Sequence, residues 1–223
     1  MVMELLGPSL EDLFQYCSRS FSLKTVLLLA MQMIDRIEHV HNKEYLHRDI
    51  KPDNFAMGSS ARDNQVYIID FGLADRYIIG LERVHIPFKT GNSMTGTARY
   101  SSANALRGVE LSRRDDLISL GYILIYFLRG QLPWQGLIGP GRIEKVIEMK
   151  QSIKPEELCK DCPNEFAEYL SYCLILKFKM KPDYETLRRS LSDLFTRMKY
   201  VNDNIYDWNK INTDKKEKSP DDK

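Results

Sequence analysis

Leu46-His-Arg-Asp-Ile-Lys-Pro-Asp-Asn-Phe55, answered downstream by Ile69-Asp-Phe-Gly72, is the stretch from which the rest of the chain is read. It holds an aspartate (Asp49), a lysine two residues on (Lys51) and an asparagine (Asn54). Asp70 follows a turn and a short β-like run. Those residue types suit the transfer of a phosphoryl group to a hydroxyl. One carboxylate accepts or orients the hydroxyl proton, and a second carboxylate with an amide oxygen holds Mg²⁺. An ammonium offsets charge on the transferring group. Read as a plain polar connection, Lys51-Pro-Asp-Asn54 is turn chemistry. That reading leaves Asp70-Phe-Gly72 unexplained.

Bulk composition sets the frame. A chain of 223 residues, 43% hydrophobic and 28% charged, is long enough for one substantial domain with its own core. Lys+Arg 32 against Asp+Glu 31 leaves a formal net charge of +1. This gives no global electrostatic case for nucleic acid or an anionic membrane. The longest apolar run, Leu120 to Leu128, falls far short of the roughly 20 residues a membrane helix needs, so it predicts a buried helix. The N-terminus, with an acid at Glu4 and no basic segment, does not read as a signal peptide. Cys17, Cys159, Cys162 and Cys173 form no disulfide framework and suit free thiols in the cytoplasm or nucleus.

Along the chain, residues 1 to 6 read as the end of a strand entering a bend at Gly7-Pro8, and Ser9 to Asp12 as a capping box opening a short helix. Leu23, Val26, Leu27, Ala30, Ile34, Ile37 and Val40 make a helical stripe. Val66 to Ile69 reads as a strand ending at Asp70, and residues 73 to 105 as a connection too long to be ordinary, functional or disordered. Helices are expected over Leu117–Leu128, Asn164–Leu176 and Asp183–Met198, and residues 210 to 223 read as a disordered polar tail. His39 and His41, two apart on one helix, share no face and make no metal pair.

His47-Arg-Asp-x-Lys-x-x-Asn54 followed by Asp70-Phe-Gly72 is the signature pair of protein kinases. Around it the chain resembles the casein kinase 1 family of eukaryotic serine/threonine kinases. The stretches that carry the resemblance are Leu5-Leu-Gly-Pro-Ser-Leu-Glu-Asp-Leu-Phe14, His47 to Phe55, Asp70-Phe-Gly-Leu-Ala74, His85-Ile-Pro87 and Thr95-Gly-Thr-Ala-Arg-Tyr100. Ser112-Arg-Arg-Asp-Asp116, Ser119-Leu-Gly-Tyr122, Leu132-Pro-Trp-Gln-Gly136, Pro182-Asp-Tyr184 and Asp207-Trp208 continue it.

The resemblance implies a mainly α fold with a few short strands: the hinge and the large helical lobe of a kinase, over residues 1 to 209. It implies ATP and Mg²⁺ as cofactors, protein Ser/Thr hydroxyls as acceptors, acidic or primed substrates, and a monomer. Met3 would be the gatekeeper, and Glu4 and Leu6 would offer hinge backbone groups to adenine. Ser9 and Asp12 would lie along the ribose, with Ala56 at the adenine floor and Ile69 beside the nucleotide. Asp49 would be the catalytic base, Lys51 would steady the phosphate, and Asn54 and Asp70 would bind Mg²⁺. Thr97 would buttress Asp49 and Lys51, Asp116 would cap the catalytic loop, and Arg99 would meet a substrate anion.

The departures are as specific. By the resemblance Met1 stands at the hinge, so the glycine-rich loop, the phosphate-gripping lysine and its glutamate partner would all precede it. The segment Asp75–Glu82 carries one basic residue where the family has a cluster. Ala56 replaces a bulky apolar residue, giving up about 1–2 kcal/mol of apolar contact. Asn104 stands where most kinases have glutamate, which is usual for this family. The alternative reading is therefore a catalytically inactive kinase-like fragment that acts as a protein-interaction module.

Overall fold

The computed structural model describes residues 4–211. Its chain order is α1 (Leu10–Tyr16), α2 (Leu23–Asn42), β1 (Tyr45–Leu46), β2 (Phe55–Met57), β3 (Val66–Ile68), β4 (Asp75–Arg76), β5 (Ile78–Ile79) and β6 (Val84–His85). Then come α3 (Ala103–Leu106), α4 (Arg113–Arg129), α5 (Arg142–Ser152), α6 (Pro155–Leu158), α7 (Asn164–Ile175) and α8 (Tyr184–Arg197). The strands form three separate antiparallel pairs, β1 with β4, β2 with β3 and β5 with β6.

The core is built around α4. From Leu117 to Phe127 every residue is buried, so the helix has no solvent face and must sit centrally. Side chains of α7 pack directly on Gly121. A Cβ there would stand 3.2 Å from both Leu170 and Tyr169, and alanine would push α7 away. The α2 stripe packs on α4 and α8, and Phe14, Phe21, Tyr126 and Phe127 interlock at ring separations of 4.8–5.9 Å.

The ends of the elements follow from caps. Ser9 and Asp12 close a capping box at α1, the Asp115 carboxylate accepts from the Ser112 amide at 2.9 Å at α4, and Asp183 accepts from the Thr186 amide at α8. Gly130, at φ 79°, ends α4 in the left-handed region.

Several expectations are corrected. Glu4–Leu6 is not part of a strand; the pairing begins one residue later, where the Gly7 amide donates to the Met57 carbonyl at 2.8 Å. Residues 1–3, with Met3, lie outside the described residues. The long connection 73–105 is not structureless, because β4, β5, β6 and α3 divide it into short pieces. Lys210 and Ile211, read as tail, are helical, and Ile211 packs on the core; residues 212–223 lie outside the described residues. His39 is exposed and His41 buried, as two positions that share no helix face allow. Among the described residues no helix is long and apolar enough to cross a membrane.

Candidate active site

The loop between β1 and β2 carries Asp49, Lys51 and Asn54, and it is held from beneath by α4. The Asp116 carboxylate accepts from the backbone amides of His47 and Arg48, each at 2.9 Å, and from His41 Nε2 at 2.8 Å. His41 Nδ1 in turn meets the Tyr184 hydroxyl at 2.7 Å. Those anchors hold Arg48 at φ 64°, a conformation a bulky residue adopts only when its surroundings impose it. Asp116 therefore caps the loop as expected. His47 lies fully buried, with its Nε2 3.0 Å from the Ile69 carbonyl.

Asp49 is 8% exposed, and both its carboxylate oxygens are engaged. One accepts from the Thr97 amide and the Thr97 hydroxyl, each at 3.1 Å. The other accepts from Lys51 Nζ at 2.7 Å and Asn54 Nδ2 at 3.2 Å. Asn54 Nδ2 also donates to the Asp49 carbonyl at 2.9 Å. Partial burial works to lower the Lys51 pKa, but the hydrogen bond and charge of Asp49, with Asp53 and Asp70, raise it above its ordinary value. The ammonium is thus secured in its charged form.

Asp70 follows β3, exposed and in the left-handed region at φ 62°, with one carboxylate oxygen accepting from the Gly72 amide at 3.1 Å. Phe71 packs its ring 5.2 Å from that of His47. Gly96, at φ 84°, passes close over the loop: a Cβ there would lie 2.8 Å from the Arg48 carbonyl. Only glycine lets Thr97 reach Asp49.

The structure thus brings Asp49, Lys51, Asn54 and Thr97 together, with Asp70 at the end of the neighbouring strand. Ile69 joins β3 to the loop, its amide donating to the Asn54 carbonyl at 2.9 Å. Arg99 is exposed on the wall of a groove of about 490 Å³, alongside Lys51, Thr97, Trp134 and Arg142. Ser9 and Asp12 are first of all a helix cap, with the Ser9 hydroxyl donating to Asp12 at 2.6 Å. Glu4 is exposed and ion-paired with Arg62 at 3.3 Å, Leu6 is half-buried, and Ala56 is buried in β2 against Tyr67. Arg113 and Arg114 serve the fold, donating to the carbonyls of Lys179 and Leu176. Asn104 donates to Asp115 at 2.9 Å, so an amide takes the place of an acid that would have needed its own cation.

The protein kinase domain family matches residues 1–194, and the chain belongs to that family. The described residues form its helix-rich part, a kinase fold with few short strands.

The residues present fit a magnesium nucleotide. Asn54 spends its amide nitrogen on Asp49, which turns its carbonyl oxygen away from that contact, and Asp70 presents an exposed carboxylate. No group of three or more His, Cys, Asp or Glu able to hold a metal occurs among the described residues. Mg²⁺ in such sites needs only one or two protein oxygens, because phosphates and water complete its octahedron.

Proposed function

We propose that the chain is a serine/threonine protein kinase of the casein kinase 1 type, transferring the ATP γ-phosphate to protein hydroxyls. The observation that carries this reading is the Asp49 carboxylate, clamped by donors from Lys51, Asn54 and Thr97. A nearly buried carboxylate in such a cradle is preorganised to take a hydroxyl proton without rearranging. Lys51 stands 2.7 Å away, positioned to meet charge on the phosphoryl group as Asp49 orients the acceptor. Asn54 and Asp70 would hold Mg²⁺, which with ATP supplies the phosphoryl group and neutralises its developing charge. A lysine following the catalytic aspartate goes with a Ser/Thr acceptor by the resemblance, and Arg99 on the groove wall suits an acidic or phosphorylated substrate. Glu4, Leu6, Ser9, Asp12, Ala56 and Ile69 would border the nucleotide.

One observation favours a second reading, that of a catalytically inactive module that binds proteins. Leu5, Phe71 and Leu73 are 82%, 50% and 42% exposed, which offers apolar surface to a partner. Incubation with Mg·[γ-³²P]ATP and acidic peptides bearing a serine, threonine or tyrosine acceptor separates the two. Label on serine and threonine but not tyrosine is expected. No label from a folded sample would leave the interaction module as the account of this chain.

A further inference from the structure

Lys150 lies on α5 and is 5% exposed. Taking an ammonium out of water costs several kcal/mol unless the protein replaces its solvation. Here the replacement comes from one short segment. Lys150 Nζ donates to the carbonyls of Ala98 at 3.0 Å, Arg99 at 3.2 Å and Ser101 at 2.5 Å. Its flanks are the rings of Tyr122 and Trp134, each centred 4.7 Å from the nitrogen. Trp134 Nε1 adds a second donor to the Arg99 carbonyl at 2.7 Å.

The match is stoichiometric. An ammonium has three N–H groups and meets three acceptors, whereas a neutral amine has only two to give. Burial pulls the Lys150 pKa well below its ordinary value, and hydrogen bonds to the three carbonyls work in the opposite direction. The segment held this way is the wall of the groove next to Asp49. Thr97, one residue before Ala98, supplies two of the donors on that carboxylate.

We propose that Lys150 is a positioning residue for the peptide substrate: its ammonium fixes the backbone of residues 98–101, and thereby the shape of the groove and the reach of Thr97. This rests on the proposed reading that the groove receives the peptide. Lys150 touches neither nucleotide nor acceptor. An apolar residue at 150 would take a donor from the carbonyls of Ala98, Arg99 and Ser101 and cost stability as well, so the role in aiming the loop is read from peptide KM and local exchange rather than from stability.

The test uses K150M and K150R with the full chain, and peptide and Mg·ATP concentrations varied separately. In K150M the peptide KM is expected to rise about tenfold, with the KM for Mg·ATP unchanged. K150R, which keeps the charge but in a planar fork, should fall between K150M and wild type. A role in stability alone would lower the active fraction, reducing kcat and leaving both KM values as they were. Amide hydrogen exchange reads the same point without catalysis. The amides of Thr97, Tyr100 and Ser101, all hydrogen-bonded in the structure, should exchange about tenfold faster in K150M, with those of α2 unchanged. A peptide KM within twofold of wild type would overturn the inference. So would equal acceleration of the loop and α2. If the wild-type chain transfers no phosphate, the kinase reading fails, and exchange alone still decides the role of Lys150.

Discussion

Asp49→Asn is expected to lower phosphoryl transfer about 10²–10⁴-fold, the usual contribution of a positioned general base, while the protein stays folded. The geometry explains both halves of that expectation. Asn is the same size as Asp, but one of its two terminal atoms is a donor. Turned toward Lys51 and Asn54, its NH₂ would face an ammonium and another NH₂; turned toward Thr97, it would face the Thr97 N–H. Either orientation forfeits at least one hydrogen bond, worth about 1–3 kcal/mol where a charged group is involved. That is a fraction of the 5–15 kcal/mol typical of a folded domain. Steady-state phosphorylation measured beside a thermal melt checks it. A variant within tenfold of wild-type activity would remove Asp49 from the chemistry.

Asp116→Ala should produce the largest loss of stability of any single change near the site, about 3–5 kcal/mol. The carboxylate receives three donors from buried or half-buried positions: His41 Nε2 and the amides of His47 and Arg48. Alanine strands them all. For a chain of this length the melting temperature should fall by about 6–20 °C, at roughly 2–4 °C per kcal/mol. Activity should fall with it, since the same contacts hold Arg48 in its left-handed conformation.

The effect should also depend on pH. Burial works to raise the Asp116 pKa, but the hydrogen bond and charge of His41, aided by His47, outweigh it and hold the carboxyl below its ordinary 3.8. A depressed carboxylate contributes stability that is present above its unfolded pKa and lost as pH falls through the folded one. The gap between wild type and Asp116→Ala should therefore be full near neutrality and narrow below about pH 4. Neighbouring Asp115, raised by burial, acts in the opposite direction but is common to both proteins. Urea unfolding of the pair across pH 3 to 7 measures this. A gap under about 1 kcal/mol at pH 7, or one that widens in acid, would contradict the account.

Much of this architecture is written in local patterns. The α2 stripe of Leu23 to Val40 marks a helix that extends only two residues further, to Asn42. The unbroken apolar run after Leu117 identifies the central helix, because nothing else could solvate it. Asp183 marks the start of α8 by its capping chemistry. The loop of Asp49, Lys51 and Asn54 is legible because its residue types are confined to a few positions.

What escaped was set by distant contacts. Strands of two residues, such as β4 and β5, are too short to show a period. The helix α5 follows Gly139-Pro-Gly141, and its short apolar stripe of Ile143, Val146 and Ile147 is continued at the next turn by a lysine, Lys150, which masks the pattern. A lysine reads from sequence as solvated, and only the three-dimensional convergence of Ala98, Arg99 and Ser101 shows otherwise. His41 escaped for the same reason, since its partners Asp116 and Tyr184 lie 75 and 143 residues away along the chain.

The claim that Asn54 and Asp70 hold a magnesium nucleotide is tested most directly by calorimetric titration of the wild-type chain and of Asp70→Ala with Mg·ATP. Asp70 is exposed and makes one local contact, to Gly72, so alanine there should leave the fold intact. The account predicts saturable binding by wild type at one site per chain and at least tenfold weaker binding by the variant. Equal affinity in the two proteins, or no binding by a wild-type sample shown to be folded, would contradict it.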